Sequence, residues 1–167
     1  MFKIGIIGCG KITEVRHAPE YADNPECELT AFFDEIPGRA EGYAKKYGGK
    51  AYSSVEELLK SGVDAVSVCV ANVAHAPISI QALEAGVHVL CEKPMATTLK
   101  DCEAMVAAAN KSGKYLMIGQ NQRFARAHVK ARELIAAGEI GNVLTFRTIF
   151  GHPGPEGWTG NCAESQH

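Results

Sequence analysis

Six short apolar runs punctuate the first 120 residues, each separated from the next by residues of helical spacing or turn character, and this alternation leaves few architectures open. The runs are FKIGIIG from Phe2, CELTAFFD from Cys27, a brief one near Ala51, VDAVSVCV from Val63, VHVLC from Val87 and YLMIG from Tyr115. Helices are expected over residues 11–22, over 37–47 with Gly48 and Gly49 as the stop, after Ser54 and over 74–85 before Gly86. Ser54 with Glu57 forms a capping-box pattern, and Pro37 suits the first turn of its helix. Thr98 caps a further helix in which Leu99, Cys102, Met105, Val106 and Ala109 share one face, closed by Gly113. Strands that read as nearly continuous apolar runs are buried on both faces, so helices must cover both sides of a parallel sheet. Right-handed crossovers then restrict the topology further. The expected class is α/β, a doubly wound parallel sheet over residues 1–120.

Beyond Gln120 the rhythm changes. Residues 124–137 are amphipathic, with His128, Ala131, Leu134 and Ile135 on the expected buried side and Gly138 as a C-cap. NVLTFRTIF then alternates with a period of two, which predicts an antiparallel strand over residues 143–150, apolar on both faces. A Gly- and Pro-rich tail follows. Residues 121–167 are therefore expected to be a fragment of a second, α+β domain: one helix, one strand and an irregular tail.

Composition excludes several classes. Seventeen basic against nineteen acidic side chains give a net charge of -2, without the basic excess of a nucleic-acid-binding protein. No run approaches the roughly 20 apolar residues of a membrane span, and the N-terminus lacks a signal-peptide pattern, so a cytoplasmic chain is expected. The six cysteines form no C-x-x-C pair and are expected as buried thiols. The six histidines are scattered, and no metal site is expected.

The chemistry-bearing residues gather at strand ends. The first strand leads into Gly5-x-x-Gly8-x-Gly10, then Lys11 and Ile12. Gly8 permits a tight turn, and Gly10 lets the backbone approach a pyrophosphate resting on the next helix's N-terminus. Thr13 stands where the usual pattern has a third glycine, which predicts slightly wider helix–strand packing. Asp34, roughly twenty residues further on, is placed to accept hydrogen bonds from ribose hydroxyls. Glu35 beside it would repel a 2′-phosphate and Arg39 lies a helical turn away, so NAD is expected in preference to NADP. Ala71, Asn72 and His75 follow the fourth strand, Glu92, Lys93 and Pro94 the fifth, and Gln120 and Arg123 the sixth. Taken singly, each fits an ordinary turn or helix cap. In open α/β sheets, however, ligands bind outside the carboxyl ends of the strands, where all of these fall.

VCVANVAHAPISIQALEAGVHVLCEKPMATTLKD and IGQNQRF resemble the glucose–fructose oxidoreductase, inositol dehydrogenase and rhizopine-catabolism (Gfo/Idh/MocA) family, over residues 1–150. The resemblance implies a Rossmann cofactor domain and an NAD(P)-dependent oxidoreductase acting on a sugar, polyol or related cyclic alcohol. It implies that Lys93 hydrogen-bonds the reacting hydroxyl and assists proton transfer, positioned by Glu92 and by Pro94, whose bond to Lys93 is a candidate for the cis isomer. Asn72 and His75 match the cofactor-side turn, and Arg123 the step beside the nicotinamide. Family members usually exceed 300 residues, and their second domain holds the substrate pocket with an Asp and a His. This sequence carries no counterpart of either, which suggests a truncated product whose residues 143–150 are left disordered, folded back or paired with a second copy in a homo-oligomer. Two other readings are an NAD-sensing or regulatory module without turnover and a methyltransferase-like nucleotide fold; the glycine loop and Asp34 fit the second, the EKP step does not.

Overall fold

In the computed structural model, residues 1–149 and 151 are described. The chain runs β1 (Phe2–Ile7), a π-helical turn (Thr13–His17) continuing as α1 (Ala18–Ala22), β2 (Cys27–Phe33), α2 (Pro37–Tyr47), β3 (Lys50–Ala51) and α3 (Val55–Leu59). There follow β4 (Ala65–Val68), a 3₁₀ turn (Asn72–Ala74), α4 (His75–Glu84), β5 (His88–Cys91), α5 (Leu99–Ser112), β6 (Leu116–Ile118), a second 3₁₀ turn (Asn121–Phe124) and α6 (Arg126–Ala136). The strands form one sheet in the order β3-β2-β1-β4-β5-β6, and every pairing is parallel. The order reverses between β1 and β4, so the crevice of a doubly wound fold opens above these two central strands.

The period of two along β1 distributes its side chains to the two faces. Ile4 and Ile6 pack with Leu29, Phe32, Ala18 and Ala40 on one side. Ile7 packs on the other with Val66, Val68, Leu58, Leu83 and Met105. Phe32, Ile6, Ile7, Leu58, Leu83 and Met105 are fully buried, each stabilising the fold by roughly 1.5–3 kcal/mol through loss of water-exposed apolar surface. Helix ends follow local chemistry. Ser54 Oγ accepts the Glu57 N–H and Thr98 Oγ1 accepts the Asp101 N–H, while Gly113 closes α5 at φ 67°. The Glu57 carboxylate reaches one residue further back than a capping box requires, to the N–H and hydroxyl of Ser53.

Past the sheet two sequence expectations fail. Residues 143–149 are exposed and form no strand; Phe150 lies outside the described residues, as do residues 152–167. A strand needs a neighbour for its backbone N–H and C=O groups, and no other segment past β6 in the described chain supplies one. The helix expected over residues 124–137 begins later, at Arg126, and its apolar side is open: Leu134 is 37% and Ile135 43% exposed, with His128 and Ala131 exposed too. The amphipathic spacing is real, but within the described chain nothing covers that face.

Candidate functional site

Gly8 takes φ +96°, and a Cβ there would stand 2.4 Å from the Cys69 carbonyl oxygen. Its N–H donates to the Phe33 carbonyl at 2.8 Å, so the turn is stitched between the ends of β2 and β4. Gly10 differs: a Cβ at this position meets nothing within 4 Å. Gly8 thus serves the protein's own packing, and Gly10 leaves open space beside the helix N-terminus.

Thr13 is fully buried and donates from Oγ1 to the Gly8 carbonyl at 2.6 Å. The hydroxyl therefore ties helix to loop where a third glycine would allow bare contact. The turn that follows widens to π geometry, the Ala18 N–H reaching the Thr13 carbonyl, and both Thr13 and His17 face the interior.

Asp34 is fastened from two sides. Its Oδ2 accepts the Cys9 N–H at 2.7 Å and its Oδ1 the Ile36 N–H at 2.8 Å. Arg39 Nη1 lies 3.9 Å from Oδ1, so the guanidinium expected a helical turn away reaches this carboxylate. Two main-chain donors leave a carboxylate with unused lone pairs, and a ribose hydroxyl could still be accepted there.

A cleft of about 980 Å³ opens over the glycine turn, at the upper end of the range for ligand pockets. Of the expected residues Gly10, Lys11, Ala71 and Asn72 line it; Asp34 lines an adjoining depression of about 400 Å³ with Glu35. Arg39, Tyr43 and Lys46 also line the large cleft, and no pattern in the sequence singled out the last two. Ile12 is half-buried, and Gln120 and Arg123 are exposed beyond β6 without lining this cleft. Cys9 lines it, but burial pushes its thiol up to about 12, with the Asp34 charge adding to the shift. Burial likewise pushes Cys69 up to about 12 and Cys91 to about 11, so none of these three is a ready nucleophile.

The second group of residues surrounds Lys93, which is exposed at the end of β5 and joined to Pro94 by a cis peptide bond. The Glu92 carboxylate accepts the Lys93 N–H at 3.1 Å and the His17 Nε2–H at 2.9 Å. Gly119 gives Glu92 room, since a Cβ there would lie 3.4 Å from the carboxyl carbon. His75 is 1% exposed, with Nδ1 2.7 Å from the Pro94 carbonyl and Nε2 3.1 Å from that of Val70. Its ring therefore faces protein and not the cleft. His17, Ser67 and Tyr21 are the members of this group that sequence reasoning missed, because their partners lie 46 to 75 residues away.

Burial alone would raise the Glu92 carboxyl, but the hydrogen bonds from His17 and the Lys93 N–H, with the nearby Lys93 charge, outweigh it and hold the group below the usual carboxylate range. A depressed folded-state value contributes stability above the unfolded value and loses it as pH falls through the folded one. Stability of the wild type in urea unfolding should therefore weaken as pH falls below the ordinary carboxylate value of 4.5, and Glu92→Gln should flatten that part of the profile. Parallel profiles for the two proteins would refute the assignment.

Comparisons with known proteins agree with this geometry. Residues 2–120 match the model of GFO_IDH_MocA, the oxidoreductase family with an NAD-binding Rossmann fold. A D-glucoside 3-dehydrogenase of Escherichia coli is 34% identical over 159 residues, covering 93% of this chain and 45% of that protein. An inositol 2-dehydrogenase of Salmonella typhimurium is 35% identical over 147 residues, covering 85% and 44%. Among solved structures, a 3-ketoreductase from Actinomadura kijaniata in complex with NADP and TDP-benzene superposes with a TM-score of 0.76 at 32% identity, covering 82% of this chain and 42% of that one. The chain thus spans under half the length of the relatives it matches. No described helix is long and apolar enough to cross a membrane.

Proposed function

The chain belongs to the GFO_IDH_MocA oxidoreductase family, and on that premise we propose that it is the cofactor-binding part of an NAD-preferring dehydrogenase of sugars, polyols or related cyclic alcohols. In this reading residues 1–120 form the cofactor domain and residues 121–167 begin a substrate domain. The observation that carries it is the common edge. The open Gly10 turn, Asn72 and Lys93 all follow the carboxyl ends of neighbouring strands β1, β4 and β5.

The residues present fit a dinucleotide. Gly10 and the N–H groups opening the first helix would hold the pyrophosphate, with Lys11 adding a positive charge in the same cleft. Asp34 would take the ribose hydroxyls from its remaining lone pairs. Ala71 and Asn72 would flank the cofactor on the β4 side, and Gln120 and Arg123 would approach from β6. Bound NAD supplies the hydride acceptor. Lys93 would hydrogen-bond the reacting hydroxyl of the alcohol and receive its proton as the carbinol hydride departs. Asp34 and Glu35 together disfavour a 2′-phosphate, which supports NAD over NADP despite Arg39.

Calorimetric titration with NAD and NADP tests the reading, followed by a reduction assay with a panel of polyols. NAD should bind about tenfold more tightly than NADP, a difference of about 1.4 kcal/mol. No binding of either would refute it. Binding without reduction of any polyol would favour an NAD-binding module without turnover.

A further inference from the structure

Among the described residues no hydrogen bond holds the Lys93 side chain, yet both its neighbours are held by buried histidines from other elements. His17 comes from the π-helical turn after β1, and its Nε2 lies 2.9 Å from Glu92 Oε1. His75 opens α4, and its Nδ1 lies 2.7 Å from the carbonyl of Pro94. We propose that His17 and His75 are positioning residues that clamp the Glu92–Pro94 loop from its two ends and so fix the direction in which the Lys93 amine projects. The proposal rests on the role given to Lys93 above.

Hydrogen-bond inventory supports it. An ionised carboxylate only accepts, so the His17 Nε2 must carry a proton. On the other side of the ring, Nδ1 is 3.2 Å from Ser67 Oγ, which in turn is 2.9 Å from the Tyr21 hydroxyl. Tyr21 donating to Ser67, Ser67 to His17 Nδ1, and His17 Nε2 to Glu92 satisfies every member in one direction, with Ser67 fully buried and His17 9% exposed. Such a chain holds the ring in a single orientation. At the other end both His75 nitrogens face carbonyls, Nδ1 that of Pro94 at 2.7 Å and Nε2 that of Val70 at 3.1 Å; a neutral ring donates only once, and the shorter contact assigns its proton to Nδ1. The two histidines reach the loop from two separate crossovers, one from the turn that precedes β2 and one from the helix that precedes β5. The π-helical turn belongs to this device, because it brings Thr13 and His17 to the interior together.

The test uses the chain itself and two readouts, neither involving NAD nor turnover, so it fails independently of the proposed function. Long-range proton–nitrogen NMR on the wild type should show His17 protonated at Nε2 and His75 at Nδ1; either nitrogen found unprotonated would overturn the proposal. The second readout is the labelling rate of the Lys93 amine by an acylating reagent, resolved by peptide mass spectrometry, with exposed Lys100 as reference. His17→Gln, whose amide can donate from near the Nε2 position, and His75→Asn, whose amide sits near Nδ1, should keep the wild-type ratio. His17→Leu and His75→Leu should change it about fivefold, the scale of one lost hydrogen bond. Leu variants that label like the wild type would overturn the clamp, as would Gln or Asn variants that label unlike it in a folded chain. Should a Leu variant fail to fold, the NMR result and the Gln and Asn variants still decide.

Discussion

Gly8→Ala should destabilise the chain by roughly 3–5 kcal/mol in urea unfolding and abolish the heat of NAD binding. Two penalties coincide at this residue. An L side chain is strained at φ +96°, and its Cβ would stand 2.4 Å from the Cys69 carbonyl oxygen. Neither partner can retreat, because the Cys69 N–H is bonded to the Ile7 carbonyl and the Gly8 N–H to that of Phe33, both at 2.8 Å. Gly10→Ala makes the contrasting case. Its Cβ would meet no protein atom within 4 Å, so stability should stay near wild type while NAD affinity falls more than about tenfold, the methyl occupying space a pyrophosphate requires. A well-folded Gly8→Ala chain that still binds NAD would contradict the packing argument. Undiminished binding by Gly10→Ala would remove the phosphate from that turn.

Asp34→Ala should lower stability by about 1–3 kcal/mol and reduce NAD affinity at least about tenfold. The carboxylate fastens the glycine turn through Cys9 and the start of α2 through Ile36, and its removal leaves both N–H groups without their acceptor. The same change frees Arg39 from its nearby anion, so NADP affinity should fall less than NAD affinity and the ratio of the two should move toward NADP. Asp34→Asn should recover only part of the loss, because an amide has one accepting oxygen and turns its NH₂ toward the other N–H. Calorimetry with both dinucleotides, alongside urea unfolding, checks all three outcomes. A variant that keeps its NAD affinity would show that Asp34 holds the backbone and does not touch the ribose.

The sheet was legible because its strands are buried on both faces, and burial leaves a mark in every residue of a run such as FKIGIIG. The glycine turn and Asp34 stood out as candidates because strand ends are punctuated by turn residues, while Lys93, an ordinary turn residue taken singly, was singled out only by the family resemblance at its EKP step. The sequence reading erred past Gln120, where a period of two predicted a strand. Alternation reports which side chains would share a face, not whether another strand lies alongside to bond with the backbone. The same holds for α6, whose apolar face exists in the spacing of Leu134 and Ile135 while the described chain offers it no cover. Local pattern failed differently at the clamp. A lone histidine seven residues beyond Gly10 carries no mark of a carboxylate 75 positions away, and only the parallel register of β1, β4 and β5 brings the two together.

That register has a bearing on how the chain folds. The contacts around Lys93 join segments near positions 17, 67, 75 and 92, with 50 residues between His17 and Ser67. His75 meets Pro94 within the single unit of α4 and β5, 19 residues on, whereas the His17 contacts to Ser67 and Glu92 span 50 and 75 residues and close within no single hairpin or crossover. Closing spans as long as those of His17 is favourable only once the central strands are in register, which makes the Glu92 end of the loop the later one to be fixed. The two ends of the loop therefore answer to different parts of the fold: a molecule that has opened β1 from β4 loses the hold of His17 on Glu92, while the α4 contact to Pro94 needs only its own crossover.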